Sequence, residues 1–221
     1  MGRPRERLNR ERVVDAALEL IDAEGVEALT MRRLGQELGV QGMALYTHVK
    51  SKDDLLSAVA GRILAELELP EPRPVAWQDR IRAVVTAWAG LQDRHPRAFM
   101  LIYRARPPET WDVRPAEEIF GALRDAGFDE LETANAYLTL IFLLDGALFS
   151  RPYPFSKVGD AARYGASAVD AERFPNYVEM GRYVPEVSWE QVYGLGVELL
   201  IRGLEETLRE KAAGGRQGPP A

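Results

Sequence analysis

Between Gly39 and Leu56 the chain reads GVQGMALYTHVKSKDDLL. Small or apolar side chains (Gly42, Met43, Ala44) are followed by hydrogen-bonding ones (Thr47, His48) and then by two lysines, Lys50 and Lys52. A hydrophobic core does not require that combination, whereas a surface that enters a DNA groove uses all of it. Small and apolar groups permit close approach and touch thymine methyls, Thr and His donate to phosphate or a base edge, and lysines neutralise phosphate charge. Ser51 in front of Lys52, with Asp54 three residues on, marks a helix N-terminus whose free amides suit a phosphate.

Such a segment has to be held by other elements. β-Branched alternation is scarce and apolar residues recur at three- and four-residue spacing almost throughout, so the chain reads as all-α. Val13, Val14, Ala17, Leu18 and Ile21 form one stripe, stopped at Gly25. Thr30 caps MRRLGQEL, which ends at Gly39; a short run covers Gly42 to His48; and the Ser51-capped helix extends to about Glu68. The second and third runs, joined by a turn at Gly39, match a helix-turn-helix. Leu34, Leu38, Val40 and Leu45 pack the two together, leaving Gln41, Gly42, Met43, Ala44, Thr47 and His48 for a major groove about 12 Å wide.

LPEPRPVAW, residues 69–77 with three prolines, separates this small unit from a larger one. The expected organisation is a basic flexible arm (1–8), a helix-turn-helix DNA-binding domain (9–68), a Pro-rich connection (69–76), a helical effector-binding and dimerisation domain (77–213) and a disordered tail (214–221). Within the larger domain the pattern gives a helix over 77–94 and a shorter run after Pro96. A further helix ends near Gly127, and a long apolar one reaches Ser150 behind the Asp129/Glu132 capping-box pattern. Ser188 and Gln191 cap the last helix; over 152–187 helix and loop cannot be told apart.

Composition bounds the function. With 46% hydrophobic and 28% charged residues the 221-residue chain is ordinary globular material. It has no cysteine, which removes disulfides and thiolate zinc sites and fits a reducing cytoplasm. The net charge is −6, but residues 1–12 hold five arginines against two glutamates, a +3 arm on a −9 remainder. No apolar leader opens the sequence, and the run from Ala136 to Phe149 is too short for a bilayer and contains Asp145, so a soluble cytoplasmic protein is expected. No nucleophile-elbow, Walker, HExxH or dinucleotide motif is present, which argues against an enzyme.

ALELIDAEGVEALTMRRLGQELGVQGMALYTHVKSKDDLLSAV resembles the DNA-binding domain of the tetracycline-repressor (TetR) family of bacterial regulators, densely over residues 10–65. WQDRIR, RARP, AGFD and YGLGVELLIRGLEETL are similar to the regulatory domain of the tetracycline repressors themselves. The resemblance implies a homodimer in which effector binding moves two DNA-binding units apart. Carried over, the DNA contacts fall on Thr30 and Arg32, on Gly42, Met43 and Ala44, on Tyr46, Thr47 and His48, and on Lys52; Gln41 joins them from the spacing. Relatives carry polar or proline residues around 42–44, so their operator is not inherited.

The helices over 130–150 and 189–212 are rich in apolar residues, and two of each would form a four-helix interface. Two reading segments related by a twofold axis stand about 34–36 Å apart, which calls for a palindromic operator. The positions that line up with the magnesium-holding residues of the tetracycline repressors are Leu67, Ile102 and Ser150, so neither metal nor cofactor is expected. Trp88, Phe99, Tyr103, Trp111, Tyr137 and Phe142 are candidate lining for a bulky hydrophobic effector, with Arg104, Arg106 and Asp145 as polar anchors. The alternatives are an effector-blind DNA-binding dimer and, further off, a helical enzyme.

Overall fold

The computed structural model describes residues 8–71, 73, 75–104, 112–151 and 169–214. The arm and tail, apart from Leu8 and Gly214, lie outside these residues, as do Arg106, Trp111 and 152–168. Among the described residues every regular element is helical: α1 (Arg10–Glu24), a 3-10 turn (Val26–Ala28), α2 (Met31–Leu38), a 3-10 segment (Gly42–Thr47), α3 (Lys52–Leu64), α4 (Trp77–Arg94), α5 (Leu101–Arg104), α6 (Arg114–Ala126), α7 (Glu130–Ser150), α8 (Pro175–Met180), a 3-10 turn (Val184–Glu186) and α9 (Trp189–Gly214). Contacts group them into two compact units, Met1–Pro72 with Thr86–Pro115 and Arg73–Val85 with Ala116–Ala221.

In the first unit the helix ends follow local chemistry. Asn9 accepts the Arg12 N–H at 2.8 Å, Thr30 the Arg33 N–H and Ser51 the Asp54 N–H, both at 3.1 Å. α2 stops at Gly39, whose φ of +69° places it in the left-handed region where a side chain is strained. Val13, Ala17, Ile21, Leu29, Leu34, Leu45, Leu55, Val59 and Ile63 are fully buried, while Leu38 and Val40 are half-buried. α3 ends at Leu64, short of the expected Glu68. Glu66 and Leu67 donate to carbonyls three residues back (3.0 Å each), tightening the last turn before Pro70, which the residues in front of it cannot enter as helix.

The second unit is laced by charged pairs. Arg80, with only 3% of its side chain exposed, donates Nε to Glu118 (2.6 Å) and Nη1 to Asp125 (2.5 Å). It fills the space over Gly121, where a Cβ would stand 2.7 Å from its Nη2. Arg82 holds Glu198 in a two-pronged pair, and Gln78 donates to Glu205. The Asp129/Glu132 capping box opens α7 as expected. Thr133, Ala136, Leu140, Leu144 and Leu148 bury one side of α7, and α9 comes so close that a Cβ on Gly196 would meet Leu143 at 3.0 Å. Counted from Glu130 rather than Ala136, the stretch to Phe149 is long and apolar enough to cross a bilayer by length and composition, which corrects the shorter reckoning.

Removing one partner from a buried ion network leaves an uncompensated charge, which costs about 3–5 kcal/mol. Arg80→Ala should therefore lower the stability of the chain by about that amount in urea unfolding; a loss below about 1 kcal/mol would mean that Glu118 and Asp125 find water instead.

Candidate nucleic-acid interface

The reading segment is a 3-10 helix of six residues, Gly42–Thr47. Its three-residue period stacks side chains at i and i+3 in rows. Gly42, Leu45 and His48 make the inner row: Leu45 is fully buried, the other two half-buried. Met43 with Tyr46, and Ala44 with Thr47, make two exposed rows, and Met43 is 74% exposed. Of the candidates on this segment the structure thus turns Met43, Ala44, Tyr46 and Thr47 outward, with exposed Gln41 just before them. The Thr47 hydroxyl donates to the Ala44 carbonyl at 2.7 Å.

Gly42 has a packing role that the spacing did not reveal. A Cβ there would come within 2.8 Å of the Met31 carbonyl oxygen, and one on Gly35 within 2.8 Å of both the Gly42 nitrogen and the Val40 oxygen. The start of α2 and the start of the reading segment touch backbone to backbone.

Around the segment the cations divide sharply. Arg33 is taken up by Glu24 (2.6 Å) and Glu37 (2.8 Å). Arg32 is exposed and, among the described residues, without an ion pair; the Lys50 and Lys52 side chains are exposed as well. The Thr30 side-chain oxygen is occupied in capping α2, and Thr30 is exposed beside Arg32.

Two residues that the spacing did not single out as a pair fix this surface. Arg10, in the first turn of α1, donates to both oxygens of Asp54 (2.9 and 3.0 Å) and to the His48 carbonyl (2.9 Å). Asp54 also accepts the Lys50 N–H at 2.8 Å. The Arg10 hydrogen bond first, then the Lys50 amide, bring the Asp54 carboxyl down to about 2. Asp54 is legible in sequence only as the third residue after the Ser51 cap; nothing local announces its link to Arg10, 44 positions away.

The candidate effector residues fall in both units. In the first, buried Phe99 meets Trp88 and Tyr103 edge-on at 6.1 and 5.9 Å, and the Trp88 N–H donates to the Tyr103 hydroxyl at 3.3 Å. Arg104 is exposed, and Leu67 and Ile102 are buried. In the second, Tyr137 packs on Phe120 at 4.5 Å, and burial, then the charge of Asp145, hold its hydroxyl above the usual range. Phe142 is 72% exposed. A hollow of about 580 Å³ along α1 and α3 is rimmed by Arg10, Asp54, Asp112 and Arg114. Those charges are already spent on one another, Arg10 with Asp54 and Arg114 with Asp112 (2.6 Å).

Comparison with known proteins gives the following. Residues 13–59 match the family described as bacterial regulatory proteins, tetR family. The class D tetracycline repressor protein of Escherichia coli is 31% identical over 212 residues, which cover 91% of this chain and 91% of that protein. Apo ActR from Streptomyces coelicolor superposes with a TM-score of 0.77 at 28% identity, covering 93% of this chain and 99% of ActR. ActR in complex with actinorhodin gives a TM-score of 0.75 at 28% identity over 92% and 99% of the two chains.

Asp54 separates two effects of opposite sign. Deleting a carboxylate near phosphates strengthens binding on Coulombic grounds, whereas deleting the group that positions the reading segment weakens it. Asp54→Asn is expected to reduce affinity for duplex DNA several-fold in fluorescence anisotropy; a gain in affinity would show that the local charge outweighs the geometry.

Proposed function

The chain belongs to the TetR family of bacterial regulatory proteins, and from that premise we propose that it is a cytoplasmic transcriptional repressor that binds a palindromic operator as a homodimer and is released by a bulky, largely apolar small molecule. The observation that carries the DNA half is the pair of exposed rows, Met43/Tyr46 and Ala44/Thr47, standing over fully buried Leu45 and flanked by Arg32 and Lys52. In this reading residues 9–68 form the DNA-binding domain and 77–213 the effector-binding and dimerisation domain. Apolar rows suit thymine methyls, Arg32 suits the O6 and N7 of guanine, and Lys52, in the first turn of α3, suits a phosphate. The tetracycline repressors among the relatives support repression, and the actinorhodin complex of ActR supports the binding of a small molecule.

The twofold partner is proposed to cover the outer faces of α7 and α9. Leu138, Phe142 and Phe149 lie along one, Val192, Leu195 and Leu199 along the other, and all six are exposed in the single chain, Leu195 by 60%. An apolar surface of that extent on a soluble chain marks an interface. The effector is proposed to bind without metal, because Leu67 and Ile102 offer no oxygen or nitrogen ligand. Trp88 and Tyr103 of the first unit, half-buried aromatics with polar tips, are the proposed lining.

Selection of bound fragments from random duplex DNA by the purified chain tests the proposal as a whole: an inverted repeat with half-sites about one helical turn apart is expected, and recovery of no common sequence would overturn it. On the selected DNA, Arg32→Ala should cost about 1–3 kcal/mol at one base position, while Lys52→Ala weakens all sequences alike and flattens the salt dependence by about one ion. Sequence-blind losses from both would contradict that division. Phe142→Glu combined with Leu195→Glu should give a folded monomer by sedimentation; a dimer that survives both changes would place the interface elsewhere.

A further inference from the structure

His95, the residue after α4, is 9% exposed and stands between two carboxylates. Its Nδ1 is 2.7 Å from Asp22 Oδ2 on α1, and its Nε2 is 2.9 Å from Glu66 Oε2 in the turn after α3. A neutral imidazole has one N–H, so either tautomer would set a bare nitrogen lone pair against a carboxylate oxygen; only the imidazolium donates on both sides. Among the described residues no three His, Asp or Glu groups converge on a point that a metal ion could occupy. The other Asp22 oxygen is buried, so the carboxylate meets the ring through Oδ2.

The surrounding charges bias the ring both ways. Glu66 is shared with Arg62 (2.9 Å, itself also 2.9 Å from Asp15) and with Arg94 (3.5 Å). Arg97 donates to the carbonyls of Asp22 and Ala23. Burial works against the charged ring, but the hydrogen bonds to Glu66 and Asp22 and their charges outweigh it and raise its titration above the ordinary imidazole value. Stability from a raised group is complete below the ordinary value and lost as pH rises through the raised one.

Asp22 and Arg10 lie twelve residues apart on α1, about 18 Å along a stiff rod. One end is held by His95; the other grips Asp54 and the His48 carbonyl at the end of the reading segment. We infer that His95 is a proton-dependent pin that fixes the end of α4 to α1 and to the turn after α3, and through α1 positions the reading segment on DNA. The last step rests on the DNA-binding reading proposed above; the pin itself does not.

The chain contains only two histidines, His48 and His95, so nitrogen-15 NMR of the full-length protein, with His95→Gln for assignment, reads the ring directly. Both ring nitrogens of His95 are expected to be protonated at pH 7 and to titrate above the ordinary value, and Glu66→Gln should lower that titration. A bare ring nitrogen at pH 7 would overturn the pin. For the positioning step, the ratio of wild-type to His95→Gln affinity for the selected DNA, at fixed salt, should fall at least about threefold as pH rises through the His95 titration. A ratio flat across that window would overturn it, and Glu66→Gln, which keeps the ring, replaces His95→Gln if the latter does not fold. Should the chain select no DNA, the proposed function fails and the pin is still decided by the NMR titration. It is also decided by the wild-type unfolding midpoint, which must fall relative to the variant over the same window.

Discussion

A six-residue 3-10 helix cannot hold its own shape. Its hydrogen bonds are poorly aligned, and a helix that short does not repay its nucleation in water. The surface that would read DNA therefore depends on what grips Gly42–Thr47 from outside. Leu45 and Val49 anchor it in the core, Gly35 and Gly42 let the α2 backbone lie directly against its start, and Arg10 with Asp54 clamps its end. None of these groups is itself well placed to read a base. Gly42 shows the demand most plainly: its backbone lies so close to that of Met31 that no Cβ fits there.

That division explains what was legible in the sequence. The caps at Thr30, Ser51, Asp129 and Ser188 were readable because each is a bond across three residues, and the donors and acceptors sit side by side in the text. The rotation of the reading segment was not, because a helix of this length can take a period of 3.6 or 3.0. The choice turns His48 from an outer residue into a half-buried one whose carbonyl serves Arg10. Arg10–Asp54 and His95–Asp22 span 44 and 73 residues, and in a chain with 28% charged residues no local signal says which acid meets which base. α7 is the intermediate case: its all-round apolar character was visible, but which side is covered within the chain, and that Phe142 lies on the other, was not.

The same ion pairs bear on how an acidic chain engages a polyanion. Arg10, Arg33, Arg62, Arg80 and Arg82 are each committed to carboxylates. Around the reading segment, among the described residues, this leaves Arg32, Lys50 and Lys52 as exposed cations outside these pairs. In the reading proposed above, the fit of the Met43/Tyr46 and Ala44/Thr47 rows then contributes to affinity beside charge. A segment that depends on fit tolerates little play, and that is why the bracing behind it matters.

The choice of histidine at position 95 follows from the geometry it has to satisfy. Two carboxylates on different elements approach from opposite sides, and imidazolium is a compact side chain with a donor at each of two well-separated ring positions. Lysine would bring its donors from a single nitrogen on a flexible stem, and arginine, which bridges two carboxylates at positions 33, 62 and 80, would need room for a longer one. Arginine would also never lose its charge, so the junction of α1, α3 and α4 would be fastened permanently. With imidazole the fastening is strengthened by Asp22 and Glu66, which outweigh burial and raise the ring's titration, and it is undone when the ring loses its proton. The second oxygen of Asp22 is buried, and in the inference drawn above α1 carries the change to Arg10 at its other end.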